Sequence, residues 1–332
     1  LLLWWGYLGL YDGGWQESGF HLFPDVFSIA DSGTAGGLVA ATAYSFRVVA
    51  EWTDRRGYLH RSSPSTTVAY TTGGGITSAT LTIHSLAEVF GWTAAALKAR
   101  QARIHVLRTV AGGSVFYKAG TSAVNDPSVE SVTVNSGTTN DADLVNNEIM
   151  YTEGSVIENI GPPAPVSIAA NRNRLAVIPA DDRTAVWYTK SKAAGIAYEW
   201  SDLLTFRIET HGDNTAIAAW QDKWIVFKRT AIYVVSGDGA SNTGVGGYDV
   251  PYLLSGDVGC VDRASVLSTS VGVFFKSARG IYLLGGEGLK YIGAPVEKYN
   301  AYTVVAAVME EDAQRAIFYL SDHQPALVYD YE

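Results

Sequence analysis

The side chains best suited to proton or metal chemistry are six histidines: His21, His60, His84, His105, His211 and His323. None stands at the spacing of a helical ligand pair, and no carboxylate motif accompanies them, so no metal site is expected. His84 and His105 fall in alternating stretches and are expected to face solvent. Cys260 is the only cysteine, which excludes a disulfide within the chain and a cysteine-rich zinc site. It reads as a small buried apolar residue. Glu310-Glu311-Asp312 concentrates acid, but glycoside hydrolysis needs two carboxyls held apart across the scissile bond. Three adjacent acids read instead as a solvated turn. Gly285-Gly286-Glu287-Gly288-Leu289-Lys290 lacks the spacing and the following Ser or Thr of a phosphate-binding loop and is expected to be a hairpin turn. Gly33-Thr34-Ala35-Gly36 and the other serine contexts lack a nucleophile elbow. No catalytic residue, cofactor or metal ligand is therefore expected, and the chain reads as a non-enzyme.

One loop keeps a functional reading. Gly237-Asp238-Gly239-Ala240-Ser241-Asn242-Thr243-Gly244 could offer Asp238 and Asn242 to calcium, but the ligand count is short. Its Gly and Ser content predicts a pliable surface loop. Gly237, Asp238, Gly239, Asn242 and Gly244 are the candidate residues of a gate or an interface. Exposed aromatics could stack sugars. However, Trp187, Trp200, Trp220 and Trp224 are expected in strands or at their ends, where core packing accounts for them.

Two kinds of strand must position these residues. In the stretch Tyr44-Ser45-Phe46-Arg47-Val48-Val49-Ala50-Glu51-Trp52, one face carries Tyr44, Phe46, Val48, Ala50 and Trp52, and the other carries Ser45, Arg47, Val49 and Glu51. Period two with one wet face describes a sandwich strand. Thr80-Leu81-Thr82-Ile83-His84, Ile104-His105-Val106-Leu107-Arg108 and Ser131-Val132-Thr133-Val134 follow the same rule more or less closely. Asp54-Arg55-Arg56-Gly57 and Ala111-Gly112-Gly113-Ser114 supply turns. Ser85-Leu86-Ala87-Glu88 fits a capping box, and residues 94–100 have helix-forming composition, so a short helix is expected there.

The second half reads differently. Trp224-Ile225-Val226-Phe227, Ile232-Tyr233-Val234-Val235, Val273-Phe274-Phe275 and Ile281-Tyr282-Leu283-Leu284 are continuous apolar runs, the pattern of strands covered on both faces. Val226-Phe227-Lys228 followed by Ile232-Tyr233 recurs as Phe274-Phe275-Lys276 followed by Ile281-Tyr282. The step from Phe227 to Phe275 is 48 residues, within the roughly 40–50 residues of a propeller blade. Arg174-Leu175-Ala176-Val177 with Ala185-Val186-Trp187-Tyr188 reads as an earlier copy. Ala316-Ile317-Phe318-Tyr319-Leu320 with Leu327-Val328-Tyr329 reads as a later one. The plain alternative is an antiparallel sandwich with chance likeness between hairpins.

With 332 residues, 47% hydrophobic content and 34 glycines, the chain has ample core for about two domains of short strands. Gly161-Pro162-Pro163-Ala164-Pro165 is a stiff, extended boundary. The expected fold is all-β: β-propeller blades with an inserted fibronectin type III/immunoglobulin-like β-sandwich. Residues 1–36 would be a propeller segment, 37–160 the sandwich, and 161–332 about three to four blades, the last incomplete. The net charge is −9 and no basic run stands out, so tight wrapping of nucleic acid is not expected, while DNA could pass without adhering. The apolar start, Leu1-Leu2-Leu3-Trp4-Trp5, is not expected to act as a signal peptide or a membrane span. Both ends look cut, as in a segment of a longer protein.

Four segments carry a resemblance. They are Trp15 to Pro24 with Glu17-Ser18-Gly19-Phe20-His21-Leu22-Phe23-Pro24, and Phe46 to Ser65 with Trp52-Thr53-Asp54, Gly57 and His60-Arg61-Ser62-Ser63-Pro64-Ser65. The third is Asp222-Lys223-Trp224-Ile225-Val226-Phe227-Lys228 through Ser236-Gly237-Asp238-Gly239. The fourth is Asp257-Val258-Gly259-Cys260 through Gly280-Ile281-Tyr282 to Tyr291-Ile292-Gly293-Ala294-Pro295-Val296-Glu297. In this order they resemble the tail nozzle, or tail stabilisation, proteins of short-tailed bacteriophages. The resemblance implies a propeller-based structural subunit, usually a ring of six beneath portal and adaptor. Such a ring forms the distal DNA-ejection channel and offers attachment surfaces to fibres or spikes. It further implies assembly in the host cytoplasm, residence in the virion, and genomic DNA passing without sequence-specific contacts. No catalytic residue carries over. The rival reading is a carbohydrate-binding or glycoside-hydrolysing propeller, and a tail-fibre adaptor uses the same folds as a nozzle.

Overall fold

The computed structural model describes residues 2–4, 7–75, 77–86 and 97–331. The chain is all-β, built from antiparallel sheets, and divides into two compact bodies. The first comprises residues 1–162, 192–203 and 242–244; the second comprises 163–191, 204–241 and 245–332. Their main boundary, between Pro162 and Pro163, falls inside the proline-rich stretch.

The first body opens with a three-stranded meander of β1 (Leu2–Trp4), β2 (Leu8–Tyr11) and β3 (Trp15–Glu17). The next strands are β4 (Val26–Asp31), β5 (Ala43–Thr53), β6 (Leu59–Arg61), β7 (Val68–Thr71) and β8 (Ala79–His84). After a short helix, α1 (Leu97–Gln101), come β9 (Arg103–Arg108), β10 (Tyr117–Val124), β11 (Ser131–Ser136) and the single turn α2 (Asp141–Leu144). One sheet runs β10-β9-β5-β6 with β7 also on β5, and the other runs β11-β8-β4. The second sheet thus takes its edge strand, Val26–Asp31, from the stretch 1–36.

The alternation in the sequence explains how the two sheets share one core. Tyr44, Phe46 and Val48 from β5 meet Leu81 and Ile83 from β8, Ile104 and Val106 from β9, and Val134 from β11. The opposite face of β5 is drier than expected. Val49 is buried with Leu107 and Met150, because Phe116, Met150 and Tyr151 cover this face. The histidines expected in solvent are half-buried. His84 packs on Phe27, and His105 lies 3.3 Å from Glu51. Of the stretches expected to give a short helical turn, 85–88 and 94–100, the second carries α1, Ser85 and Leu86 are not helical, and residues 87–96 lie outside the described residues.

The second body is a succession of antiparallel meanders. The first holds β12 (Pro165–Asn171), β13 (Arg174–Pro179), β14 (Ala185–Tyr188) and β15 (Thr205–Arg207). The second holds β16 (Asn214–Trp220), β17 (Lys223–Lys228), β18 (Ile232–Val235) and β19 (Tyr252–Ser255). The third holds β20 (Asp262–Ser268), β21 (Gly272–Ser277), β22 (Gly280–Gly285) and β23 (Gly288–Tyr291). The last holds β24 (Val304–Glu310), β25 (Arg315–Leu320) and β26 (Leu327–Asp330). The four copies read from the sequence are the hairpins β13–β14, β17–β18, β21–β22 and β25–β26.

First strands are neighbours in order: β12 packs on β16, β16 on β20, and β20 on β24. The continuous apolar runs follow from this stacking. Adjacent residues on β21 point to opposite faces, and both faces are covered. Phe275 meets Phe227, its repeat partner, with ring centres 4.8 Å apart. Phe274 turns the other way, onto Phe318 and Tyr329. The acidic Glu310-Glu311-Asp312 is the exposed tip of the β24–β25 hairpin, and Gly285 to Gly288 closes β22–β23.

Candidate functional site

The loop between β18 and β19 carries the five residues singled out in the sequence. Its base is tied down. Asp249 N donates to Ser236 O at 3.0 Å, and Ser241 N to Val245 O at 2.8 Å. The buried Arg174 guanidinium donates to Thr189 O at 2.6 Å and to Ala240 O at 2.5 Å. Ala240 N donates in turn to the Tyr188 hydroxyl at 3.3 Å. Tyr248 inserts its ring edge-on against Tyr188 and Phe206, at 4.8 and 5.7 Å between centres, and burial raises its phenol pKa. Gly239 is required here on two counts. Its φ is +73°, and a Cβ would lie 2.8 Å from the Tyr248 ring.

The loop residues separate into two settings. Gly237 and Asp238 line a polar cleft of about 250 Å³ with Arg172, Arg174, Asp222 and Trp224. Arg172 sits at the β12–β13 tip and pairs with Asp238 and, at 3.1 Å, with Asp222 at the β16–β17 tip. All three are well exposed, so solvent screens the triad. It links the two tips and the loop through one guanidinium and two carboxylates. Asn242 and Gly244 belong to the first body, where Asn242 O accepts from Ile157 N at 3.0 Å and Gly244 rests against Ile157.

No group of three or more metal-binding side chains occurs among the described residues. Cys260 is fully buried, and burial pushes its thiol up to about 12. Trp224 and Trp200 are fully buried and Trp187 and Trp220 half-buried. Trp200 departs from its expected place. It lies in the segment 192–203, and its carbonyl accepts from Ile160 N within the first body.

A second cleft, in the first body, gave no sequence signal. Residues 192–203 lie along β6. Leu59 N donates to Gly195 O at 2.8 Å, Ala197 N to Leu59 O at 2.9 Å, and Arg61 pairs with Glu199 at 2.7 Å. This brings Lys192 and Tyr198 to the β5–β6 turn with Arg56, Tyr58 and His60, around a cleft of about 250 Å³. The turn is organised by Asp54, whose Oδ1 accepts from Arg56 N and Tyr58 N, both at 2.9 Å, as its type predicts. The other carboxylate oxygen lies 3.3 Å from His60 Nε2, with both side chains buried. Burial, then the Lys98 charge, lowers the His60 pKa to about 4. His60 is therefore neutral at pH 7. A carboxylate only accepts, so Nε2 carries the proton and Nδ1 is left as a buried acceptor; that atom has no hydrogen-bond partner.

No protein-family model matches this chain, and no curated protein matches it significantly.

Proposed function

We propose that the protein is a non-enzymatic structural component of a bacteriophage tail, in which the four meanders act as β-propeller blades and the two-sheet lobe as an immunoglobulin-like sandwich. The observation that carries the reading is the stacking of the second body. Each meander begins with a strand that packs on the first strand of the next, as innermost strands do around a propeller axis. Doubly covered strands make such a stack stiff, as a channel wall requires. The sandwich supplies an attachment surface for fibre, spike or adaptor proteins. The net charge of −9 favours DNA sliding past without sticking. The tail assignment itself rests on the four resembling segments.

In this reading the loop 236–247 is a gate or neighbour contact. The exposed apolar side chains Val245, Val250 and Tyr252 support a contact role, because such clusters mark interaction surfaces. Mass photometry of the purified protein tests the proposal. A discrete closed oligomer is expected, and a monomer at every concentration would contradict it. Glycan hydrolysis by the same sample would favour the rival enzyme.

A further inference from the structure

We infer that a second copy of this chain docks along β19, edge to edge and antiparallel, with Tyr252 to Ser255 as the shared contact. β19 closes the second meander and is paired only on its β18 side. A free edge invites another strand, and charged side chains on the edge are a usual guard against that. The final strands of the other meanders carry them: Arg207 on β15, Lys290 on β23 and Asp330 on β26. β19 has none, and neither does the whole stretch 250–256. Its three apolar side chains in a row are open to solvent, Tyr252 at 67%, Leu253 at 40% and Leu254 at 38%. Adjacent residues point to opposite faces, so neither face of this strand is closed, whereas β17 and β18 beside it are almost wholly buried.

Charge selects the occupant. Copies of a chain with net charge −9 repel one another, so a contact between them is favoured where neither brings a charge. A two-fold axis between Leu253 and Leu254 sets Leu253 opposite Leu254 and Tyr252 opposite Ser255. The nearest acids, Asp249 and Asp257, then face Val258 and Val250 and never each other; like charges directly opposite would destabilise such a ladder. The strand is thus complementary to itself, as a two-fold contact requires. Pro251 has no N–H to donate and stops the ladder, which confines the pairing to a short segment. The inference rests on the reading of this region as a neighbour contact, not on the tail assignment, because a two-fold contact gives a dimer whether or not rings form.

Sedimentation velocity of the full chain over a wide concentration range tests this. A monomer–dimer equilibrium is expected, and it should tighten as added salt screens the repulsion between copies. Tyr252→Lys and Leu254→Lys should each weaken dimerisation at least about tenfold, while Val328→Lys, at an exposed position on β26, should leave it unchanged. Circular dichroism establishes that each variant is folded, and the two lysine variants stand in for one another should either unfold. Dimerisation unchanged in a folded lysine variant overturns the inference and leaves the tail reading free to use another face. Dimers that the lysine variants lose, without rings in electron micrographs, uphold the inference and remove the ring. A monomer at every concentration overturns it; co-flotation with phosphatidylcholine vesicles, lost in Tyr252→Lys, would then assign the strand to a lipid surface.

Discussion

At the residue scale, the buried groups of the first body set its response to acid. His60 titrates near 4 in the folded chain against 6.5 as a free side chain. Between those values the unfolded chain binds a proton that the folded chain refuses. Stability is therefore complete above pH 6.5 and falls as pH drops towards 4, by up to about 3 kcal/mol. Burial lowers the His21 and His105 pKa values as well, so they act in the same direction. Urea melts from pH 7 to 4.5 should show this slope, and His60→Gln should flatten it; an unchanged slope would remove His60 as a source.

Lys98 gives a second test. Its buried ammonium lies 3.1 Å from Glu17, donates to Gly19 O and stands 4.0 Å over the Phe20 ring. Lys98→Met leaves the Glu17 carboxylate buried and should cost about 3–5 kcal/mol, whereas adding Glu17→Gln should recover part of that loss. A loss below about 1 kcal/mol would show that the pair is not buried as described. These roles were illegible in the sequence because the partners stand 81 positions apart. Asp54 was legible as a turn residue, since its contacts are local. Its hold on His60, and the arrival of Lys192 and Tyr198, depend on residues 192–203 pairing with a strand more than a hundred positions earlier.

At the element scale, the meanders were legible because their signals are local: a 48-residue step, apolar runs and glycine turns. Both-face burial has a measurable consequence. Phe274→Ala and Phe275→Ala each open a cavity on a different side of β21 and should each cost about 3–5 kcal/mol. Tyr319 lies on the outer face of the last meander, 45% exposed, and Tyr319→Ala should cost under about 1 kcal/mol. If only one of Phe274 and Phe275 mattered, the strand would have a single covered face, and the stack would be an ordinary sandwich sheet. The first-body strands show where pattern reading ran short. Alternation marked the core face of β5 correctly, but Val49 on the other face is also dry because Met150 and Tyr151 cover it. Nothing in the neighbourhood of Val49 announces a cover supplied a hundred residues later.

At the scale of the whole molecule, the proposed role in a tail channel bears on charge and on assembly. Electrostatics adds a prediction. With a net charge of −9, the protein should not retard double-stranded DNA in a gel at low salt, since like charges repel. Retention that weakens steeply with salt would point to a basic lining and a DNA-gripping role. The central claim is that the protein assembles around an axis, and electron-microscopic class averages of the purified, concentrated protein test it most directly. Closed rings with an open central channel are expected. Isolated particles without a channel would contradict it.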